Sequence, residues 1–343
     1  MSPSEHHVLD RRLSEDVHPG RNLALELVRV TESAALAAAR FVGRGDKEAA
    51  DQAAVDAMRL VLDTVRMDGT VVIGEGEKDE APMLYNGERI GDGEAPQVDI
   101  AVDPLEGTTL TARGMPSALS VIALSERGSM FDPGPCVYMQ KIAGSADIAD
   151  LLDLDRPLPE MLRLIAERRE IEVRDVMVVV LDRPRHEEPA REIREAGAAV
   201  RFIADGDVSA ALLAASDDTP VDLLWGIGGT PEGVISAAAL KCLGGQLVGR
   251  LWPRDDEERR AAEDAGYDLE RQLTVDDLIT SEDCFFSGTG VTDGDLLEGV
   301  RYQRGGRAST ESLVMRSRSG TVRRIRAKHD RGKLQRVTGQ EHA

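Results

Sequence analysis

The stretch VDIAVDPLEGTTL, from Val98 to Leu110, constrains this chain more than any other. Its first half is a near-continuous apolar run, the pattern of a strand covered on both faces. Its second half carries two acids three residues apart, Asp103 and Glu106, and then Gly107-Thr108-Thr109. In open α/β sheets ligands collect beyond the carboxyl ends of strands. Pro104 stiffens this particular strand end, and Gly107 lets a ligand approach the backbone. Thr108 and Thr109 then offer N–H groups and hydroxyls suited to an anion lying next to a metal.

Further acids end apolar segments. Glu75 follows the strand TVVIGE, where a solvated turn and a ligand fit equally; for Glu77, Asp79 and Glu80 the solvated turn is expected. Asp205 and Asp207, around Gly206, end VRFIADGD. Glu232 opens a helix in WGIGGTPEGVISAAAL, with Thr230 as a suitable N-cap and Pro231 in the first turn. A plain helix start with a dipole-favoured Glu accounts for that pattern, and the glycines before it keep a ligand-binding loop open. Carboxylates gathered at strand ends repel one another unless cations lie among them, and oxygen ligands select hard divalent ions. Of six His only His186 lies well inside the expected folded body, so a zinc site is not expected.

The formal net charge of −20 disfavours nucleic acid and anionic membranes as partners. No apolar run is long enough to span a bilayer, and Cys136, Cys242 and Cys284 are too far apart in sequence for a C-x-x-C pair. A reducing cytoplasm is the expected location. Two helices come first, in NLALELVRVTESAALAAARFVGRG and KEAADQAAVDAMRLVLDTVRM, followed by strands at TVVIGE, VDIAVD, ALSVIAL and CVYMQKIA. Helix and strand then alternate from LPEMLRLIAERRE to PEGVISAAALKCLGG, and SLVMRSRSGTVRRIRA reads as a hairpin turning at Ser319-Gly320. The expected division is a flexible arm over 1–20, an N-terminal α+β metal and phosphate sub-domain over 21–170, a C-terminal α/β sugar-binding sub-domain over 171–325, and a flexible basic tail over 326–343.

DPLEGTT resembles the signature of the lithium-sensitive, metal-dependent phosphomonoesterases. RVTESAALAAARFVGRGDKEAAD, VVIGEGEKDEAPMLYNGE, LDRPRHEEPAREIREAG, ADGDVSAALLA, WGIGGTPEGVISAAALKCLGG and FFSGTGVTDGDLLEGVRY are similar to the class II fructose-1,6-bisphosphatases, over roughly residues 21–325. The resemblance implies a mixed α/β (α+β) fold with the layered α-β-α-β-α sugar-phosphatase arrangement of two sub-domains. It implies two or more Mg2+ or Mn2+ ions held by Asp51, Glu75, Asp103, Glu106 and Glu232. The sugar bisphosphate would lie against Glu106, Gly107, Thr108, Tyr138, Arg183, Pro184, Arg185, Asp205, Gly206, Asp207 and Gly229. Thr108 and Asp51 would be catalytic, and the assembly a homodimer or homotetramer. Asp51 and Tyr138 enter through the resemblance alone.

The activity implied is hydrolysis of the 1-phosphate of fructose 1,6-bisphosphate, with sedoheptulose 1,7-bisphosphate or an inositol phosphate as alternative substrates. A non-catalytic sensor of metal or sugar phosphate is a third possibility. The D-x-D at Asp205 and Asp207, ending an apolar strand, also matches how aspartyl-phosphate phosphatases present a nucleophile, but the motif comes late in the chain.

Overall fold

The computed structural model describes residues 23–76, 83–217 and 219–338. The arm expected over 1–20 lies outside them, as do Glu77, Asp79 and Glu80. Helices α1 (Leu23–Ala38) and α2 (Lys47–Leu62) pack together over the outer face of a first sheet. Asp46 caps α2, accepting from the Ala49 N–H at 3.0 Å.

That sheet holds eight strands: β1 (Asp68–Ile73), β2 (Arg89–Ile90), β3 (Gln97–Glu106), β4 (Leu119–Glu126), β11 (Cys284–Gly290), β12 (Arg301–Gln303), β13 (Arg307–Arg316) and β14 (Thr321–Asp330). Its order is β12-β13-β11-β4-β3-β1-β2, with β14 on the other edge of β13. The second sheet holds β5 (Tyr138–Gly144), β6 (Met177–Leu181), β7 (Ala199–Ile203), β8 (Leu223–Gly229), β9 (Gln246–Leu251) and β10 (Leu273–Thr274), in the order β10-β9-β5-β8-β6-β7.

Two helices lie between the sheets, α6 (Asp207–Ala215) and α7 (Thr230–Leu243), after the short α3 (Thr108–Arg113) and α4 (Leu158–Arg169) and α5 (Glu187–Glu195). Both are apolar on nearly every side and rich in alanine, as helices enclosed on all sides must be. Helices α4 and α5 cover the far face of the second sheet. The layers are therefore α1/α2, first sheet, α6/α7, second sheet and α4/α5, the α-β-α-β-α arrangement expected. The apolar runs of β3 and β4 are continuous for this reason. Ile100, Val102, Ile122 and Leu124 face α1 and α2, whereas Ala101, Val121 and Ala123 face α7.

The sheets divide the chain differently from the boundary expected at residue 170. β5 already belongs to the second sheet, and the chain returns to the first at Cys284 for four strands. The tail expected from residue 326 also differs: β14 continues to Asp330 along β13, and a helix runs over Arg331–Thr338. The hairpin at Ser319-Gly320 is present between β13 and β14.

Candidate active site

Residues three apart on a regular strand face opposite sides, so Asp103 and Glu106 should diverge. They do not, because β3 carries a bulge. Asp103 pairs with Val121 and Glu106 with Leu119, three residues on β3 against two on β4. The extra residue flips the side-chain phase and turns both acids to one side. Pro104, with no N–H for the ladder, falls inside the bulge, and Asp103 Oδ1 accepts from the Leu105 N–H at 3.0 Å. Glu106 is buried, its Oε1 accepting from the Val208 N–H at 3.0 Å in the first turn of α6. Gly107 follows at φ 92°, a left-handed conformation, and Thr108 starts α3 half-buried.

The facing wall is the β8–α7 junction. Gly229 is the N-cap of α7 and Thr230 the first helical residue, so the cap falls one position earlier than expected at Thr230. Glu232 folds back over Gly229 so closely that a Cβ there would lie 1.6 Å from Glu232 Oε2. That oxygen is buried and has no hydrogen-bond partner.

Ligand atoms of Asp103, Glu106 and Glu232 lie within 4.8 Å of one another. The same cleft, about 350 Å³, is also lined by Asp51 from α2, Glu75 beyond β1, and Thr108. Burial, reinforced by Asp103 and Asp51, pushes Glu75 up to about 8. Burial and Glu232 push Asp103 up to about 7. Glu106 is raised well above its ordinary value by burial and by Asp103, Asp207 and Glu232; Asp51 is raised by burial. Carboxylates that burden one another in this way accept a divalent cation readily. The all-oxygen donor set and the orphaned Glu232 Oε2 fit such an ion.

The remaining candidates fall in two groups. Asp205 lines the cleft, raised mainly by burial. Asp207, two residues on, is buried, and its Oδ2 lies 2.8 Å from Lys141 Nζ, so this carboxylate is committed to the interior. The phosphoaspartate alternative wants Asp207 as a mobile acid beside Asp205, which that pairing opposes. Gly206, at φ 86°, makes the turn between the two.

Tyr138 pairs with Gly229 across β5 and β8, which sets it beside the turn that carries Glu232. The Arg185 guanidinium stacks over the Tyr138 ring at 5.1 Å, and its Nε and Nη2 donate to Ile227 O at 3.1 and 2.7 Å. Arg183 Nη1 donates to Ala204 O at 2.8 Å, next to Asp205. Pro184 is exposed between them. His186 is buried: its Nε2 accepts from the Ile227 N–H at 2.8 Å, so Nδ1 carries the proton it donates to Leu181 O. The Arg-Pro-Arg loop is thereby pinned to β8.

Two cations were missed in the sequence. Lys47, in the first turn of α2, donates to Thr109 Oγ1 at 2.8 Å and lowers the pKa of Asp205. Lys141 is wholly buried. Lys47 carries no signal beyond an ordinary helix start. Lys141 does: it shares the inward phase of β5 with Met139 and Ala143, where an apolar residue belongs.

A family model described as bacterial fructose-1,6-bisphosphatase, glpX-encoded, matches residues 21–329. The chain is 45% identical over 322 residues to fructose-1,6-bisphosphatase 1 class 2 of Escherichia coli strain K12, covering 90% of this chain and 95% of that protein. It is equally similar to the class 2 fructose-1,6-bisphosphatases of Escherichia coli O6:H1 and Shigella flexneri.

Proposed function

This chain belongs to the bacterial, glpX-encoded fructose-1,6-bisphosphatase family, and from that premise we propose how its cleft performs the reaction. The enzyme is metal-dependent and hydrolyses the 1-phosphate of fructose 1,6-bisphosphate to fructose 6-phosphate and phosphate, a step of gluconeogenesis. The observation that carries the reading is the convergence of Asp103, Glu106 and Glu232 within 4.8 Å, in a cleft shared with Asp51, Glu75 and Thr108.

Asp51, Glu75, Asp103, Glu106 and Glu232 would hold Mg2+ or Mn2+. Bound there, the cations supply Lewis-acid polarisation and counter-charge for the phosphoryl and leaving oxygens. Water attacks phosphorus in line, one P–O bond forms and the ester P–O bond breaks; the proton the water loses passes to solvent, and the C1 oxygen takes one from solvent as it leaves. The Thr108 hydroxyl orients that water. First-turn N–H groups of α3, without intrahelical acceptors, hold phosphoryl oxygens. Asp205 receives sugar hydroxyls, and Tyr138 with Arg185 and Arg183 holds the second phosphate. Asp207 supports this wall from behind.

The enzyme is cytoplasmic and assembles as a homodimer or homotetramer. Among the described residues no helix is long and apolar enough to cross a membrane. The test is phosphate release over a panel of fructose 1,6-bisphosphate, sedoheptulose 1,7-bisphosphate and inositol monophosphates, with Mg2+, with Mn2+ and with EDTA. The expected result is metal-dependent release with fructose 1,6-bisphosphate preferred. Preference for an inositol phosphate, or binding without release, overturns it.

A further inference from the structure

Among the described residues Lys141 is the largest wholly buried side chain, 2% exposed. Its ammonium lies 2.8 Å from Asp207 Oδ2, at the start of α6, and donates to Gly229 O at 2.9 Å, at the start of α7. Room for the pair is left by Gly228. A Cβ there would sit 2.2 Å from Asp207 Oδ2 and 3.2 Å from Lys141 Nζ. The stem passes Gly233 on the next turn of α7, with Cδ 3.9 Å from where a Cβ would be.

A buried ion pair adds little net stability compared with an apolar pair of the same volume. What it does add is position. One end of this pair holds the helix whose Val208 N–H binds Glu106. The other holds the carbonyl of the residue that Glu232 folds across.

We propose that Lys141 is a positioning residue for the metal centre: by pairing its charge with Asp207 and donating to the Gly229 carbonyl, it holds α6 and α7 at the spacing that aims Glu106 and Glu232 at one cation. The inference rests on the reading of Glu232 as a metal ligand. Lys141 itself touches neither metal nor substrate. It keeps its ammonium on Asp207 and so leaves Glu232 to the cation.

The experiment is a calorimetric titration of Mn2+ into metal-free protein, without substrate, beside melting curves. Lys141→Met with Asp207→Asn removes the pair without leaving either partner's charge buried alone. The fold should survive, while Mn2+ binding weakens about tenfold or more, the usual effect of losing a group that orients a ligand. Asp207→Asn alone is the second variant and covers a double variant that does not fold. Its ammonium, deprived of its partner, turns toward Glu232 and competes with the cation, so Mn2+ binding weakens there too. A role of Asp207 in sugar binding alone would leave both titrations as in the wild type.

Glu232→Gln is the reference. Wild-type Mn2+ affinity in the two Lys141 and Asp207 variants, with weakened binding in Glu232→Gln, overturns the positioning role and leaves the site reading intact. Wild-type affinity in Glu232→Gln removes Glu232 as a ligand, and the proposal with it.

Discussion

Gly229→Ala is the sharpest test of the metal-facing turn, because the structure fixes what the added methyl group meets. Gly229 has φ −60° and ψ 138°, a conformation alanine adopts freely. The backbone therefore gives no reason to unfold, and at a compatible position Gly→Ala commonly stabilises by about 0.4–1 kcal/mol. The new Cβ, however, would lie 1.6 Å from Glu232 Oε2 and 2.5 Å from its carboxyl carbon. Real Cβ contacts stay beyond 3.0 Å, so Oε2 must retreat by at least 1.4 Å. Metal–ligand distances tolerate about 0.2 Å. A displacement of about 1 Å near the reacting atoms can cost about 10² in rate. Gly229→Ala should melt at or near the wild-type temperature, bind Mn2+ at least about tenfold more weakly, and lose about 10² in kcat. Calorimetric Mn2+ titration, steady-state phosphate release and a melt read all three. Wild-type Mn2+ affinity and kcat in the folded variant would refute the reasoning, since the carboxylate would then have moved without consequence for the metals.

Thr108→Ala should lower kcat by about 10² with a smaller change in KM, and Thr108→Ser should keep much of the activity; equal kcat in Thr108→Ala and wild type would end the catalytic role. Chelated protein should lose stability as pH rises from about 5 to 8. Glu75 and Asp103 have folded values near 8 and 7, so the fold holds protons that the unfolded chain has released. Saturating Mg2+ should remove that slope; a melting temperature of chelated protein that does not fall across this range contradicts the assigned repulsion. Arg185→Met should raise KM for the bisphosphate more than it lowers kcat, and an unchanged KM in steady-state assays would take Arg185 out of phosphate binding.

Some of this was legible in the residues themselves. An apolar strand ending in Asp103 and Glu106, and a Gly-Gly-Thr-Pro-Glu helix start, are local signals, because strand burial, turn stiffness and helix capping depend on residues a few positions apart. Asp51 and Tyr138 had no local signal and were reached only through resemblance to a known family. Their place in the site depends on α2 lying over the first sheet and on the register that sets Tyr138 beside Gly229. The bulge that turns Asp103 and Glu106 to one side is a matter of pairing with β4, which no run of residues within β3 specifies. β11 shows the same limit. It lies beside β4 in the first sheet, yet Cys284–Gly290 follows β4 by more than a hundred residues, so the two-sheet division could not be read in chain order. Lys141 is the clearest case. Its place in an apolar phase was visible, but the meaning of a charge there was not, because the partners that hold it, Asp207 and the Gly229 carbonyl, come from segments far along the chain. Local chemistry pointed to Asp103, Glu106 and Glu232 as acids able to bind a cation. Tertiary packing alone decided which of them meet, since the burial and repulsion that shape the site arise only when distant segments exclude water together.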